Sequence, residues 1–355
     1  MRVLYVSYPL LTVSDESAGG AEQVLWTLER EMVRRGVSST VAASRGSCVS
    51  GDLLDTGEPC SAADDLERRN KEHQARILDF IGSEGGSLDL IHDKSGSFWM
   101  RAAEIDLPVL ATLHLPRHFY DQSLFHGIPP NVTFNCVSSH QTGSFSDLRS
   151  DLGSSLTTIP NGIPLDRFQP NGACRNGLLW LGRICEEKGT HLALEIASLA
   201  SSHIVLAGQV YPFSYHRQYF EREVAPRLQN LQSTASANFI ERPSAAQKRK
   251  LLSEASALLI TSLVDETSSL VAMEAAASGT PVIAFRRGAL PEVVKDGVTG
   301  FLVEDVEEAA VAVTMIWEIS PDDCRRHAEE NFSSGKMAER YAELYSTLKS
   351  RCSQS

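Results

Sequence analysis

The sequence predicts an α/β protein made of two Rossmann-like parallel-sheet domains. The chain has 355 residues, which exceeds the usual size of a single hydrophobic core. Short apolar or β-branched runs alternate with helical patterns, as they do in parallel sheets covered by helices on both faces. This alternation begins again after a segment rich in proline, asparagine and glycine at 160–172. We therefore expect two similar halves that face a central cleft.

The first predicted domain spans residues 1–165. An apolar strand at 2–8 precedes Gly19 and Gly20, which begin a helix that ends at Gly36. Further strands are predicted at 39–43, 88–93, 108–114, 132–138 and 156–159, and helical patterns at 64–81, 97–104 and 141–148.

The second predicted domain spans residues 172–335 and repeats the same alternation. Its strands are predicted at 177–182, 203–208, 238–241, 257–261, 281–285 and 300–303. Its helices are predicted at 190–200, 244–254, 306–318 and 321–331, with one more after Glu266. A last helical segment occupies 336–355.

Composition limits the classes of partner and compartment. No apolar run reaches membrane-spanning length, and the N-terminus does not have a signal-peptide pattern. The seven cysteines are scattered without a CxxC pair, and the histidines are equally dispersed, so we expect reduced thiols, a cytoplasmic protein and no metal site. The net charge of −12 disfavours nucleic acid and anionic lipid as partners.

Two carboxylates, Glu266 and Glu274, follow the strand predicted at 257–261. The first would lie in a strand-to-helix loop and the second in the helix, at the sheet edge where α/β proteins bind ligands. Carboxylates there suit a hydroxyl-rich ligand, because each accepts several hydrogen bonds. The alternative is structural: Glu266 would favour the helix dipole, Glu274 would lie on the helix surface, and Ser268 and Ser269 would cap the helix.

Cationic and small residues follow other predicted strands. Arg183 and Lys188 could neutralise a diphosphate, or they could pair in solvent with neighbouring glutamates. Gly19 and Gly20 could admit a phosphate at a helix N-terminus, or form a plain turn; the segment lacks the GxGxxG of a dinucleotide site. His114 could bind a sugar hydroxyl, although a single strand-end histidine is more often structural. All of these residues fall at or beyond strand carboxyl ends.

Together the motifs resemble retaining glycosyltransferase family 4 (glycosyl transferases group 1), which has the GT-B fold. The resemblance rests on ordered segments that span nearly the whole chain: GGAE at 19–22, IPNGIP at 159–164, LGRICEEKG at 181–189, the two glutamates at 266 and 274 with seven residues between them, AASGTP at 276–281 and LPEVVKDGVTGFLV at 290–303.

The resemblance implies a role for each candidate residue. Arg183 and Lys188 would hold the donor diphosphate, Glu274 the ribose hydroxyls, and Glu266 the hydroxyls of the donor sugar. The remaining contacts would come from the backbone amides of Thr267, Ser268, Ser269 and Leu270, from Gly19 and Gly20 beside the diphosphate, and from His114 near the reacting centre. The terminal helix at 336–355 would pack back on the first domain.

The resemblance also implies a reaction. A hexose-type sugar would move from a UDP- or GDP-sugar to an acceptor hydroxyl with retained configuration, by front-face attack and without a metal or other cofactor. Family members often have an aromatic residue and then glycine where this chain has Ser268 and Ser269, so the donor sugar stays open.

Three other functions are alternatives to this one. They are a nucleotide-sugar epimerase of the same fold, a non-catalytic nucleotide-sugar-binding protein, and an oxidoreductase, which the missing GxGxxG disfavours. The acceptor is not determined by the sequence, but the acidic first domain favours a soluble neutral or cationic acceptor over an anionic lipid.

Overall fold

The computed structural model describes residues 1–60, 65–148, 152, 155–171, 175–211, 213–233 and 236–352. The chain divides into two compact units. The first unit contains 1–162 and 334–355, and the second contains 163–333. Each unit is built around a parallel sheet with flanking helices, which confirms the predicted fold class. The predicted helix start at Asp64 and the domain start at 172 lie outside the described residues.

The first unit has a seven-stranded parallel sheet within the described residues. Its strands are β1 (Arg2–Val6), β2 (Ser38–Ala43), β3 (Asp52–Asp55), β4 (Leu90–Asp93), β5 (Val109–Leu113), β6 (Val132–Cys136) and β7 (Leu156–Thr158), in the order β3-β2-β1-β4-β5-β6-β7. Its α-helices include α1 (Gly20–Arg34), α2 (Leu66–Glu84) and α3 (Ser139–Ser144). The strand order reverses between β1 and β4, and this switch point is where α/β sheets bind ligands.

The second unit has a six-stranded parallel sheet within its described residues. Its strands are β8 (Leu178–Arg183), β9 (Ile204–Gln209), β10 (Ala237–Glu241), β11 (Ala257–Ile260), β12 (Val282–Phe285) and β13 (Gly300–Val303), in the order β10-β9-β8-β11-β12-β13. Its α-helices include α4 (Thr190–Leu199), α5 (Ser214–Tyr219), α6 (Ala225–Ser233), α7 (Ala245–Glu254), α8 (Leu270–Ala277), α9 (Leu290–Val293), α10 (Val306–Met315) and α11 (Pro321–Asn331). Its switch point lies between β8 and β11.

The terminal helix α12 (Ser334–Cys352) belongs to the first unit because its tyrosines enter that core. Tyr341 and Tyr345 are fully buried. The Tyr345 hydroxyl lies 2.5 Å from His92 Nδ1, and the Asn135 amide donates to the Tyr341 hydroxyl at 2.9 Å. Burying polar groups without partners is costly, so these bonds fix how the helix sits on the sheet.

Some predicted elements differ from the observed ones. The helix predicted at 97–104 is a 3₁₀ segment (Phe98–Glu104), and the one at 141–148 is the short α3 followed by a 3₁₀ turn (Ser146–Leu148). Strand β3 was not predicted, because it is a largely exposed edge strand with an aspartate at each end. Among the described helices, none is both long and apolar enough to cross a bilayer.

Candidate functional site

The loops after β8 and β11 are joined at the switch point of the second unit. The Leu263 amide donates to the Glu187 carbonyl at 2.8 Å. The Thr261 hydroxyl is within hydrogen-bond distance of the carbonyls of Lys188 (3.1 Å) and Gly189 (2.8 Å). Gly189 has a φ of +60°, and a side chain there would overlap the Thr261 carbonyl, so the close approach requires glycine. The two loops therefore form one fixed edge.

Two of the predicted site residues, Lys188 and Glu266, form an ion pair across this edge. The Lys188 ammonium lies 2.5 Å from Glu266 Oε1, and the Ser262 hydroxyl also donates to that oxygen. Glu266 is only 9% exposed. A buried carboxylate needs such compensation, so the pair fixes the position of both charges.

The loop after β12 fixes the backbone of Glu266. The Ala289 amide donates to the Glu266 carbonyl at 2.7 Å. Gly288 has a φ of +58°, and a Cβ added there would overlap the backbone nitrogen and oxygen of Glu266. Glu266 is therefore positioned by backbone contacts as well as by Lys188.

Replacing Gly288 with alanine is expected to destabilise the protein more than replacing Gly297 with alanine. Both glycines have positive φ, so both changes lose about 1–2 kcal/mol from the left-handed backbone. Only Gly288→Ala also forces the Glu266 backbone to move, since nothing lies within 4 Å of a Cβ at Gly297. Urea unfolding of both variants measures the difference, and equal losses would contradict the close-approach argument.

Glu274 is held by a lysine from a neighbouring helix. Lys248 on α7 lies 2.6 Å from Glu274 Oε1, and Glu274 is 4% exposed. The Lys248 ammonium also lies 5.8 Å from the centre of the Phe168 ring. No sequence signal marked Lys248, because a lysine on a polar helix is normally solvated.

The start of α8 differs from the predicted cap. Ser269 is the N-cap residue, but its side chain makes no capping hydrogen bond, so the structural alternative in which Ser269 caps this helix does not apply. The Ser268 hydroxyl is buried and makes no hydrogen bond within the described residues. The segment 267–270 thus presents a helix N-terminus without a side-chain cap from Ser269, an arrangement that can bind an anion.

Arg183 ends β8 with an exposed side chain. Its guanidinium lies 5.7 Å from the centre of the Tyr211 ring, a cation–π distance. Among the described residues, no carboxylate lies within ion-pair distance of Arg183. The second unit therefore places Arg183 at the end of β8, Lys188, Glu266 and the 267–270 segment on the loops after β8 and β11, and Glu274 on α8.

The glycines predicted to approach phosphate lie at the start of α1 in the first unit. Gly19 is the N-cap residue and Gly20 begins the helix. A Cβ on Gly19 would overlap the Glu22 carboxylate, so this glycine also has a structural reason to be present. Glu22 is buried, and that burial raises the pKa of its carboxyl group to about 7.

His114 and a buried lysine lie at the ends of β5 and β4. Burial, with the nearby Lys94 charge, holds the pKa of His114 well below its usual range. Lys94 is 3% exposed, and its ammonium lies 5.1 Å from the Tyr341 ring centre. Burial lowers the pKa of Lys94 to about 7. No sequence pattern marks Lys94 as a buried residue, because lysines are almost never buried without a partner.

Known proteins resemble this chain in sequence. The sequence profile described as Glycosyl transferases group 1 matches residues 175–318. The MMP alpha-(1->4)-mannosyltransferase of Mycolicibacterium hassiacum is 28% identical over 318 residues, which cover 78% of this chain and 74% of that relative.

Solved structures share the fold over almost the whole chain. The sucrose-phosphate synthase of Thermosynechococcus elongatus has a TM-score of 0.80 at 20% identity and covers 99% of this chain and 100% of its own. The Anabaena HepE protein, solved in complex with UDP-glucose, has a TM-score of 0.74 at 17% identity and covers 98% and 100%. These structures confirm the predicted GT-B fold.

Proposed function

We propose that this chain, a member of the glycosyl transferases group 1 family, moves a hexose-type sugar from a UDP- or GDP-sugar to an acceptor hydroxyl with retained configuration. The chain is a glycosyltransferase that uses a nucleotide-sugar donor. The main support is the charge arrangement at the switch point between β8 and β11. Arg183 forms no ion pair with a carboxylate among the described residues. The Lys188 ammonium has further N–H donors beyond the one that bonds to Glu266. Two such cations suit a diphosphate.

The carboxylates suit the two polyhydroxylated ends of such a donor. In this proposal Glu266 accepts from hydroxyls of the transferred sugar, and Glu274 accepts from the ribose. Lys188 and Lys248 compensate the two buried charges, so each carboxylate is held in place before the donor arrives. The amides of Thr267, Ser268, Ser269 and Leu270 complete the cradle for sugar and phosphate.

The reaction we propose is a front-face displacement. The bond between the anomeric carbon and the departing phosphate oxygen breaks, while the acceptor oxygen forms its bond on the same face. The acceptor proton passes to the departing phosphate oxygen. Arg183 and Lys188 stabilise the charge that develops on the diphosphate. Glu266 is a poor nucleophile here, because its Oε1 already accepts hydrogen bonds from Lys188 and Ser262.

The first unit supplies the remaining groups in this proposal. Gly19 and Gly20 would approach the diphosphate at the start of α1, where the helix dipole favours negative charge. His114 would contact the donor sugar as a neutral imidazole, since its pKa lies well below the usual range. A soluble neutral or cationic acceptor, and a cytoplasmic location, stay predictions from composition.

A donor screen tests the proposed function. The purified protein is incubated with UDP- and GDP-hexoses and a panel of neutral, cationic and anionic acceptors, and release of nucleoside diphosphate is followed. We expect acceptor-dependent release with one nucleotide sugar and, by NMR, a product with the donor's anomeric configuration. An inverted product would contradict the mechanism. Donor epimerisation without acceptor would favour an epimerase, and donor binding without turnover would favour a binding protein.

A further inference from the structure

Three side chains of the second unit converge beside the loop that carries Arg183 and Lys188. Cys185 and Glu187 belong to this loop, and His216 lies on α5. The candidate ligand atoms of Cys185, Glu187 and His216 all lie within 4.8 Å of one another. Cys185 is 0% exposed and His216 is 1% exposed. The cluster therefore has two buried members and the half-buried Glu187, and it combines one sulfur, one nitrogen and one carboxylate oxygen.

Two of these side chains carry a buried polar atom with no hydrogen-bond partner within the described residues. The atoms are Glu187 Oε2 and His216 Nδ1. Buried polar atoms are nearly always hydrogen-bonded, so unsatisfied atoms on two side chains of one cluster indicate a partner that binds there. The rings of Phe213 and Tyr215 pack edge-on against the His216 ring, with centres 5.3 and 4.3 Å away, and so restrict its orientation.

We propose that Cys185, Glu187 and His216 bind a Zn²⁺ ion. A thiolate, an imidazole and a carboxylate are the ligands that zinc takes, and a thiolate disfavours Mg²⁺ and Ca²⁺. Ligand atoms around tetrahedral zinc lie roughly 3.5 Å apart, so the three side chains need to close by about an ångström. The thiolate and carboxylate offset the charge of the ion, and the nearby Arg183 stays on the outside, over Tyr211.

The proposed ion has a positional role and takes no part in the sugar transfer described above. Its ligands come from the loop after β8 and from the helix after β9, two strands that pair directly. Binding would tie these segments together and hold the Arg183–Lys188 loop in place. Three protein ligands leave the fourth position to water. The spacing of cysteines and histidines did not indicate this site, because His216 is distant from Cys185 and Glu187 in the sequence and meets them only in the fold.

Cobalt substitution tests the site, because Co²⁺ takes the same ligands as zinc and reports a thiolate ligand by a charge-transfer band. Chelator-treated protein is titrated with Co²⁺ and then with Zn²⁺. We expect one equivalent of Co²⁺ to bind with a thiolate band, and Zn²⁺ to displace it. Cys185→Ser should abolish the band, and His216→Ala should weaken binding about tenfold or more.

Cys324→Ser is the matched control, since Cys324 is a buried free thiol of the same unit, and it should retain the band. Absence of the band in the unsubstituted protein would overturn the proposal, and this measurement does not depend on whether a variant folds. A band retained in Cys185→Ser would also overturn it, because another thiol would then hold the metal. Donor binding and turnover are separate measurements, so this result is independent of the proposed function.

Discussion

Replacing Lys188 with methionine is expected to lower turnover about 10²-fold to 10³-fold, because one of the two cations that we propose to face the developing diphosphate charge is lost. The change also leaves the Glu266 carboxylate, which is 9% exposed, without its ammonium partner. We therefore expect a loss on the order of 2 kcal/mol in the free energy of unfolding as well. Steady-state kinetics and urea unfolding measure the two effects separately.

The double variant Lys188→Met/Glu266→Gln separates catalysis from stability. Removing the Glu266 charge should recover much of the lost stability, whereas turnover should stay low. Lys250→Met is the control, because Lys250 is exposed on α7 and only 3.9 Å from Glu254. It should retain normal turnover. A folded Lys188→Met protein with near-normal turnover would refute the assignment of Lys188 to the diphosphate.

Replacing Lys94 with methionine is expected to stabilise the protein, and the stabilisation should be largest at low pH. Lys94 has a pKa of about 7 in the folded chain, below the ordinary value of 10.5. Between these values the unfolded chain binds more protons than the folded chain, so the stability of the unsubstituted protein rises with pH there. Below pH 7 the folded chain must hold a buried ammonium, and the destabilisation is largest.

The expected difference between Lys94→Met and the unsubstituted protein is on the order of 5 kcal/mol below pH 7. It should shrink by about 1.4 kcal/mol per pH unit as the pH rises towards 10. Urea titrations from pH 6 to 10 measure this slope. Lys71→Met, at an exposed helix position, is the control and should leave it unchanged. If the free energies of unfolding of Lys94→Met and of the unsubstituted protein changed with pH in parallel, burial would not lower the pKa of Lys94.

The sequence predicted the fold well where apolar periodicity was strong. The buried strands of both sheets were found because parallel strands covered on both faces are continuous apolar runs. Strand β3 was missed because exposed edge strands lack that signal. The α5 and α6 segments between β9 and β10 were also missed, since they join around a π-helical turn (Phe220–Val224) that breaks the 3.6-residue period.

The sequence indicated which residues lie at the candidate site, but it did not indicate which of their charges pair. Strand ends marked Arg183, Lys188 and Glu266, because chain order alone places such residues at one edge of a parallel sheet. The partner of Glu274 was not predictable, since Lys248 lies on another helix and meets it only through packing. Helix-capping preference suggested a capping hydrogen bond that the Ser269 side chain does not make. Local rules therefore indicated which residues lie at the sheet edge, and tertiary contacts determined how their charges pair.

The affinity of the protein for nucleoside diphosphates tests the claim that Arg183 and Lys188 hold a donor diphosphate. Calorimetric titrations of UDP and GDP into the unsubstituted protein, Arg183→Gln and the exposed-site control Arg222→Gln compare the affinities. We predict one site per chain for one of the two nucleotides, about tenfold or more weaker in Arg183→Gln and unchanged in Arg222→Gln. Equal affinity in folded Arg183→Gln, or no binding of either nucleotide, would contradict the claim.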